Sequence, residues 1–283
     1  MPQARARVYS TEAIPLKRMD FGEADRIITL FTPGLGKVRA IARGVRRPTS
    51  RMAGHLELFT HSDLMLARGR ELDVVTQAST VASFRALRED LVKSSQAYHL
   101  AELVDAFLQD RDENRAVFLL LQAALEALDA SELAPERTAR GELVEPHILR
   151  QAQDERCNLV ARHFELQLLA AVGFRPQLYS CLSCEAPIVA EANGYSVALG
   201  GVLCPGCVPG EASARPIATD TLKLLRFLQR TAPVSDVSVA APPGTLRDAE
   251  RLLREVLEFV LERRLRAAEF VHHVAETAAG YRA

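Results

Sequence analysis

Four of the five cysteines in this chain lie in two short pairs whose spacing could hold a metal ion. Cys181 and Cys184 are separated by two residues, as are Cys204 and Cys207, and 19 residues lie between the pairs. Each pair lets two thiolates approach one ion from a single turn, and a connection that folds back would bring all four sulfurs into a tetrahedron. The sequence therefore predicts a four-cysteine site, and this ligand set is typical of zinc.

The residues between the pairs predict how the segment folds. Asn193-Gly194 favours a two-residue hairpin turn between the stretches IVAE and YSVAL, and Pro205-Gly206 fits a tight turn inside the second pair. Four thiolates would fill the coordination sphere and leave no position for a reactive water, so we expect a structural zinc. The CPGC stretch alone is also found in thioredoxin-type redox sites, but that interpretation leaves the first pair unexplained. The remaining alternatives are incidental cysteines here and an ordinary thiol at Cys157.

A basic segment near the N-terminus is the second chemically informative feature. From residue 37 to residue 51 the chain has six basic side chains and no acidic one. They are Lys37, Arg39, Arg43, Arg46, Arg47 and Arg51. On a small β-barrel these charges could neutralise a phosphate backbone while aromatic rings stack on bases. The candidate rings are Tyr9, Phe21, Phe31 and Phe59. The alternatives are a solvated basic loop and, for each ring, a place in the core.

Catalytic patterns are not found in the sequence. The stretch GLGK at residues 34 to 37 lacks the span and the Ser or Thr of a phosphate-binding loop, and it fits a β-turn better. There is no G-x-S-x-G or H-E-x-x-H pattern, and His272 and His273 would point apart on a helix. We therefore expect a protein that is not an enzyme.

The surrounding patterns predict an α+β fold. Before residue 84, short runs rich in Val, Ile, Leu, Phe and Thr alternate with turn residues, as expected for a small antiparallel barrel of the OB type. After residue 84 the apolar residues recur every three or four positions, which indicates helices. The prediction is an OB-fold DNA-binding barrel over 1–84 and an α-helical domain over 85–177 and 213–283. The zinc-ribbon-like four-cysteine module, residues 178–212, is inserted between the two helical parts.

Residues 140–156, RGELVEPHILRQAQDER, interrupt the helical pattern with a polar, doubly charged stretch. They resemble a translated DNA repeat, and we expect a mobile surface loop without function, because lengthening a loop costs little closure entropy. No apolar run reaches the roughly 18 residues of a membrane helix. There is no signal-peptide pattern either, so the sequence predicts a cytosolic protein.

Several stretches resemble the RecO family of bacterial DNA repair proteins. Residues 14–17 and GEADRIITLFT at 22–32 are similar to the family's opening, and GK at 36–37 with ARGVRR at 42–47 and SR at 50–51 is similar to its basic region. GFRP at 173–176 and the first cysteine pair resemble its cysteine-containing junction. The likeness covers nearly the whole chain, and the segment 140–156 departs from it.

The resemblance implies a recombination mediator. RecO-like proteins bind single- and double-stranded DNA, anneal complementary strands, and work with RecR to load recombinase onto DNA coated by single-stranded-DNA-binding protein. It implies DNA contacts at the six basic residues, zinc at the four cysteines, a groove for the C-terminal tail of single-stranded-DNA-binding protein, and a cytoplasmic, nucleoid-associated location. A zinc-ribbon nucleic-acid reader is disfavoured because residues 181–207 contain no Lys or Arg. A zinc-stabilised protein-interaction scaffold that does not bind DNA is the alternative.

Overall fold

The computed structural model describes residues 7–131, 146–189, 191–237, 239–267, 270, 271 and 274. By its internal contacts the chain divides into two compact units, residues 1–129 and 130–283. The first unit contains a β-barrel and the helices that follow it, and the second contains further helices and the four-cysteine segment. The α+β class with an N-terminal OB-like barrel is thereby confirmed. The four-part domain division stays a prediction.

The barrel closes in the strand order β1-β2-β3-β5-β4, with a parallel pairing between β3 and β5 and antiparallel pairings elsewhere. Its strands are β1 (Val8–Phe21), β2 (Asp25–Thr32), β3 (Gly36–Ala42), β4 (His61–Ala67) and β5 (Asp73–Ala82). Alternation along the strands fills the interior with small and branched residues, because successive side chains point to opposite faces. The core includes Ile28, Leu30, Ala40, Ala42, Leu64 and Leu66.

Three helices complete the first unit and cover part of the barrel's outside. They are α1 (Arg85–Glu89), α2 (Leu91–Phe107) and α3 (Arg115–Asp129). Asp90 caps α2 by accepting hydrogen bonds from the backbone N–H groups of Val92 and Lys93 at 2.9 and 3.0 Å. The ring of Phe31, which points outward from β2, packs on Phe118 of α3 with the centroids 5.7 Å apart. The helices therefore bury the outer face of the barrel around Phe31, near the C-terminal end of β2.

In the part of the second unit that the structure describes, three long helices have a small sheet between the first two in sequence, and further helical residues follow at 266, 267, 270, 271 and 274. The helices are α4 (Pro146–Ala171), α5 (Thr219–Arg230) and α6 (Pro243–Leu261), and they pack on one another. The sheet has the order β7-β6-β8, with β6 (Gly194–Ser196), β7 (Gly201–Leu203) and β8 (Arg215–Pro216). A buried ion pair joins Arg162 and Glu165 on α4 at 2.8 Å.

The expectation of a loop at residues 140–156 is wrong over the part that the structure describes. Residues 146–156 form the first turns of α4, while residues 140–145 lie outside the described residues. The polar side chains that suggested a loop interact with one another along the helix. Arg150 lies 3.2 Å from Asp154, and Gln151 donates a hydrogen bond to Glu155 at 3.0 Å. Both are i,i+4 pairs, which stabilise a polar helix without an apolar face.

Among the described residues, no helix combines the length and the apolar character needed to cross a membrane.

Candidate metal centre and nucleic-acid interface

The two cysteine pairs meet in one cluster. The sulfurs of Cys181, Cys184, Cys204 and Cys207 all lie within 4.8 Å of one another, and the Sγ atoms of Cys184 and Cys204 are 3.7 Å apart. A disulfide would bring two sulfurs to about 2.05 Å, and all four thiols are free. Four metal–sulfur bonds of about 2.3 Å in a tetrahedron place sulfurs about 3.8 Å apart, so the observed spacing fits a tetrahedral ion.

Tight turns at each pair hold the cluster in place. In the second pair the N–H groups of Cys207 and Val208 both donate to the Cys204 carbonyl oxygen, at 2.9 and 3.1 Å. In the first pair the Glu185 N–H donates to the Cys181 carbonyl oxygen at 2.9 Å. The Leu182 N–H donates to the Val202 carbonyl oxygen on β7 at 3.0 Å. This bond connects the turn of the first cysteine pair to β7, the strand that leads directly into the second pair.

The predicted hairpin turn at Asn193-Gly194 is wrong. Gly194 begins β6, and the chain reverses instead between Ser196 and Gly201, where Gly200 has a φ of +79°. A Cβ on Gly194 would lie 2.7 Å from the Val208 side chain, so this glycine allows a close approach rather than a turn. The two pairs still meet, because β6 and β7 are antiparallel neighbours.

The thiols of the cluster differ in how readily they ionise. Burial opposes ionisation of Cys181, but backbone N–H groups around it, including those of Cys204 and Cys184, outweigh this and lower its pKa to about 6. The Ser183 hydroxyl lowers the pKa of Cys207, but the three neighbouring cysteines outweigh it and raise that pKa to about 12. One thiolate therefore forms easily, whereas a full set repels itself unless a cation is present.

These residues fit a metal ion. Four thiolate donors select thiophilic divalent ions, and a bound cation would favour the thiolate form of all four cysteines, including Cys207, whose pKa the hydrogen bonds with its neighbours raise. Such an ion would crosslink two turns that are 19 residues apart in sequence. With all four positions taken by sulfur, it would supply structure and no open coordination position.

Five of the six basic residues in the 37–51 segment are exposed. Arg39 lies on β3, and Arg43, Arg46, Arg47 and Arg51 follow it in the turns after the strand. Gly44, with a φ of +65°, starts the reversal, and its N–H donates to Asp25 Oδ1 at 2.7 Å. The guanidinium group of Arg46 already has an acidic neighbour, since its Nε lies 3.4 Å from Asp20 Oδ2. The chain thus presents a cluster of arginines at the end of β3.

Lys37 departs from this arrangement. Its side chain is 7% exposed, and its Nζ donates to the Asp105 backbone carbonyl at 2.7 Å and to Asp105 Oδ1 at 3.0 Å. Asp110 Oδ1 lies 3.6 Å away on the other side. This ammonium group links β3 to the end of α2 and is not offered to a phosphate.

Of the four candidate rings, Phe21 is the one presented on the surface. Its side chain is 50% exposed, whereas Phe31 is 0% and Phe59 is 2% exposed. Tyr9 is half-buried, and its hydroxyl donates to Asp73 at 2.6 Å while Arg68 lies over the ring at 4.7 Å. Burial therefore assigns Phe31 and Phe59 to the core and leaves Phe21 beside the basic segment.

Sequence reasoning missed the neighbours of Phe21 on the outer face of the barrel. Met19 is 54% exposed and pairs with Ile27, which in turn pairs with Ile41. In the next row, Lys17 pairs with Thr29 and Thr29 with Arg39. The signal that could have found them is the period of two along β1, once the β1–β2 register is known.

The fold and these two sites define a class of protein: an OB-like barrel with an arginine-rich exposed edge, joined to helices and to a four-cysteine module that could hold a metal ion. Comparisons with known sequences narrow the class. The family model "Recombination protein O N terminal" matches residues 7–84, and "Recombination protein O C terminal" matches residues 88–143 and 147–269.

Curated relatives agree with the family models. The DNA repair protein RecO of Roseiflexus sp. (strain RS-1) is 41% identical over 272 residues, which cover 96% of this chain and 88% of the relative. The RecO proteins of Dehalococcoides mccartyi (strain BAV1) and Symbiobacterium thermophilum are each 34% identical, over 92% and 93% of this chain and 93% and 96% of their own lengths. The chain belongs to the RecO family of DNA repair proteins.

Proposed function

We propose that this protein is a recombination mediator that binds single- and double-stranded DNA and anneals complementary strands. The observation that carries the proposal is the exposed arginine cluster at the end of β3, in a chain that belongs to a DNA repair family. The proposed DNA contacts are Arg39, Arg43, Arg46, Arg47 and Arg51. Lys37 is left out of this set because Asp105 and Asp110 hold its ammonium group.

The arginine cluster accounts for annealing without a catalytic group. Two complementary strands repel each other through their phosphates, and guanidinium groups that replace the counterions lower this barrier. Base pairing then supplies the free energy of the reaction. The protein's part is to hold and neutralise strands, so no side chain has to form or break a bond.

A salt series on strand affinity and annealing tests the proposal. The wild type should lose affinity steeply with salt, with a log–log slope that grows by about 0.7 for each phosphate contact to a single strand. Reversing the charge of Arg43, Arg46 and Arg47 should abolish binding and annealing. Because Arg43 and Arg47 are exposed, each change should alter stability by no more than about 0.5 kcal/mol. Salt-independent binding by the wild type would refute the proposal and favour a protein-binding scaffold.

We further propose that the metal of the cluster is zinc and that its role is structural. The four-thiolate donor set and the closed coordination support this assignment. The ion would keep the segment between α4 and α5 folded, and with it the β7-β6-β8 sheet. It would take no part in DNA chemistry.

The proposed partners are RecR and the acidic C-terminal tail of single-stranded-DNA-binding protein. A groove in the second unit supports the second partner. Phe174, Leu199 and Phe259 line it and are each at least 50% exposed, and the exposed Arg175 lies beside them. An apolar floor with a basic neighbour fits a peptide that combines apolar and acidic residues.

We place the protein in the cytoplasm, associated with the nucleoid.

Replacing Phe259 with Asp tests the peptide groove separately from DNA binding. A peptide with the tail's sequence should then bind more weakly, while affinity for naked DNA stays at the wild-type value. Equal peptide affinity in both proteins would place the tail elsewhere.

A further inference from the structure

The barrel carries an exposed apolar patch that the arginine cluster does not account for. The patch is formed by the side chains of Met19, Phe21, Ile27 and Ile41. Phe21 and Met19 are half-exposed, and Ile27 and Ile41 are partly exposed. Isoleucines on a sheet are normally buried under another element. Polar or charged residues normally fill the solvent face of such strands, so a patch of this composition indicates a ligand.

The strand register places these residues together on the outer face. Met19 lies opposite Ile27, and Ile27 lies opposite Ile41, so the three form one row across β1, β2 and β3. Phe21 follows Met19 by two residues on β1 and shares its face. Adjacent strands are about 4.8 Å apart, so the row spans about 10 Å.

Positive charges flank this row. Lys17, Thr29 and Arg39 form the next row on the same face, and both Lys17 and Arg39 are exposed. Arg43 follows Ile41 by two residues and is also exposed. Two nearby carboxylates are engaged with the protein itself: Asp25 accepts from the Gly44 N–H, and Asp20 lies 2.9 Å from Arg26.

We infer that the apolar patch is a platform for the unstacked bases of single-stranded nucleic acid, with the flanking cations on its phosphates. This inference rests on the proposed function and deepens it. A single strand presents both a charged backbone and free base faces, and the patch with its basic rim is complementary to both. A duplex hides its base faces in the stack and can use only the arginines. The patch therefore adds affinity for single strands alone.

Tryptophan fluorescence offers a direct test, because the chain contains no Trp. In Phe21→Trp the new indole is the protein's single one. It should be quenched to saturation by a short oligothymidylate and not by a blunt duplex at equal phosphate concentration. Phe270→Trp, at a residue 42% exposed in the second unit, is the matched control and should not respond to the same oligonucleotide.

Affinity measurements provide the second arm. Phe21→Ala should bind single strands about 5- to 150-fold more weakly, while its affinity for duplex stays at the wild-type value. Phe21→Tyr keeps a ring and should retain single-strand affinity. Thermal unfolding of each variant should match the wild type, because the ring is half-exposed.

Other outcomes overturn the inference. Wild-type single-strand affinity in Phe21→Ala, or equal quenching by duplex and single strand, would show that the bases do not reach the patch. If the arginine reversal still abolishes binding in that case, the mediator proposal stands and the inference alone fails. If the wild type does not bind DNA, the proposed function itself fails. A response of the Phe21→Trp indole to RecR and not to DNA would assign the patch to protein docking.

Discussion

Lys37 and Asp105 form an ion pair between the barrel and the helix that packs against it, with Lys37 Nζ 3.0 Å from Asp105 Oδ1 and 2.7 Å from the Asp105 carbonyl oxygen. The lysine is nearly buried, while the carboxylate is 35% exposed. A charge that looks like part of a DNA-binding run in the sequence is thus used to hold the first unit together.

Replacing Lys37 with Met should destabilise the first unit and leave DNA affinity unchanged. Two hydrogen bonds from a charged group are lost, and each of them contributes about 1.5–3 kcal/mol. Urea unfolding measures the first effect and a salt series on DNA affinity the second. Arg43→Met is the matched control, with the opposite pattern: weaker DNA binding and a stability within about 0.5 kcal/mol of the wild type. A loss of DNA affinity in folded Lys37→Met would return this residue to the binding surface.

Replacing Cys204 with Ser should release the metal and unfold the cysteine module. Metal binding is coupled to folding, and three thiolates bind zinc far more weakly than four. Metal content can be measured by a chromogenic chelator after denaturation, and hydrogen exchange should rise across residues 178–210. Cys157→Ala is the control, since Cys157 is buried on α4 outside the cluster and should not affect zinc content. Full zinc occupancy in Cys204→Ser would remove this residue from the ligand set.

Replacing Gly201 with Ala should destabilise the small sheet. A Cβ there would lie 2.5 Å from the Gln177 carbonyl oxygen, and backbone cannot move aside as a flexible side chain can. Overpacking of this kind costs about 1–3 kcal/mol. Hydrogen exchange at β7 reports the effect. Gly206→Ala, inside the second cysteine pair, meets no atom within 4 Å and should leave exchange unchanged. Equal exchange in the two variants would contradict the packing argument.

Acid should weaken the contribution of Asp73 to stability. Burial opposes its ionisation, but hydrogen bonds from Tyr9 and the Gly69 N–H and the charge of Arg111 outweigh this and lower its pKa below the ordinary 3.8. A lowered pKa contributes stability above the unfolded-state value, and this stability is lost as the pH falls below it. The difference in unfolding free energy between the wild type and Asp73→Asn should shrink from about pH 7 to about pH 3. A constant difference would contradict the assignment.

The cysteine cluster could be predicted from the sequence because its ligands come in local pairs. What the sequence did not reveal is how the chain returns between them. Asn193-Gly194 is a strong hairpin signal, but the pairing of β6 with both β7 and β8 decides its conformation. A tertiary contact, the approach of Val208 to Gly194, has overridden a local preference.

The error at residues 146–156 has a different cause. Apolar periodicity detects helices that bury one face, and the polar first turns of α4 have no such stripe. The i,i+4 spacing of Arg150 with Asp154 and of Gln151 with Glu155 was visible in the sequence and would have indicated a helix.

The basic segment shows what charge alone leaves undetermined. Spacing identifies six cations, but only burial and partners separate Lys37 from the five arginines. In the same way, composition offers four aromatic candidates, and only the packing of Phe31 on Phe118 and the exposure of Phe21 distinguish them.

The helices that cover Phe31 and Lys37 divide the outside of the first three strands into a closed half and an open half. A DNA strand bound on the open half would meet α2 and α3 just beyond the row of Lys17, Thr29 and Arg39. If the protein binds DNA there as proposed, the helices would end the binding path, and the number of nucleotides that one molecule occludes should reach a fixed value however long the oligonucleotide is. Longer DNA would then be covered by adding molecules rather than by stretching the footprint of each one.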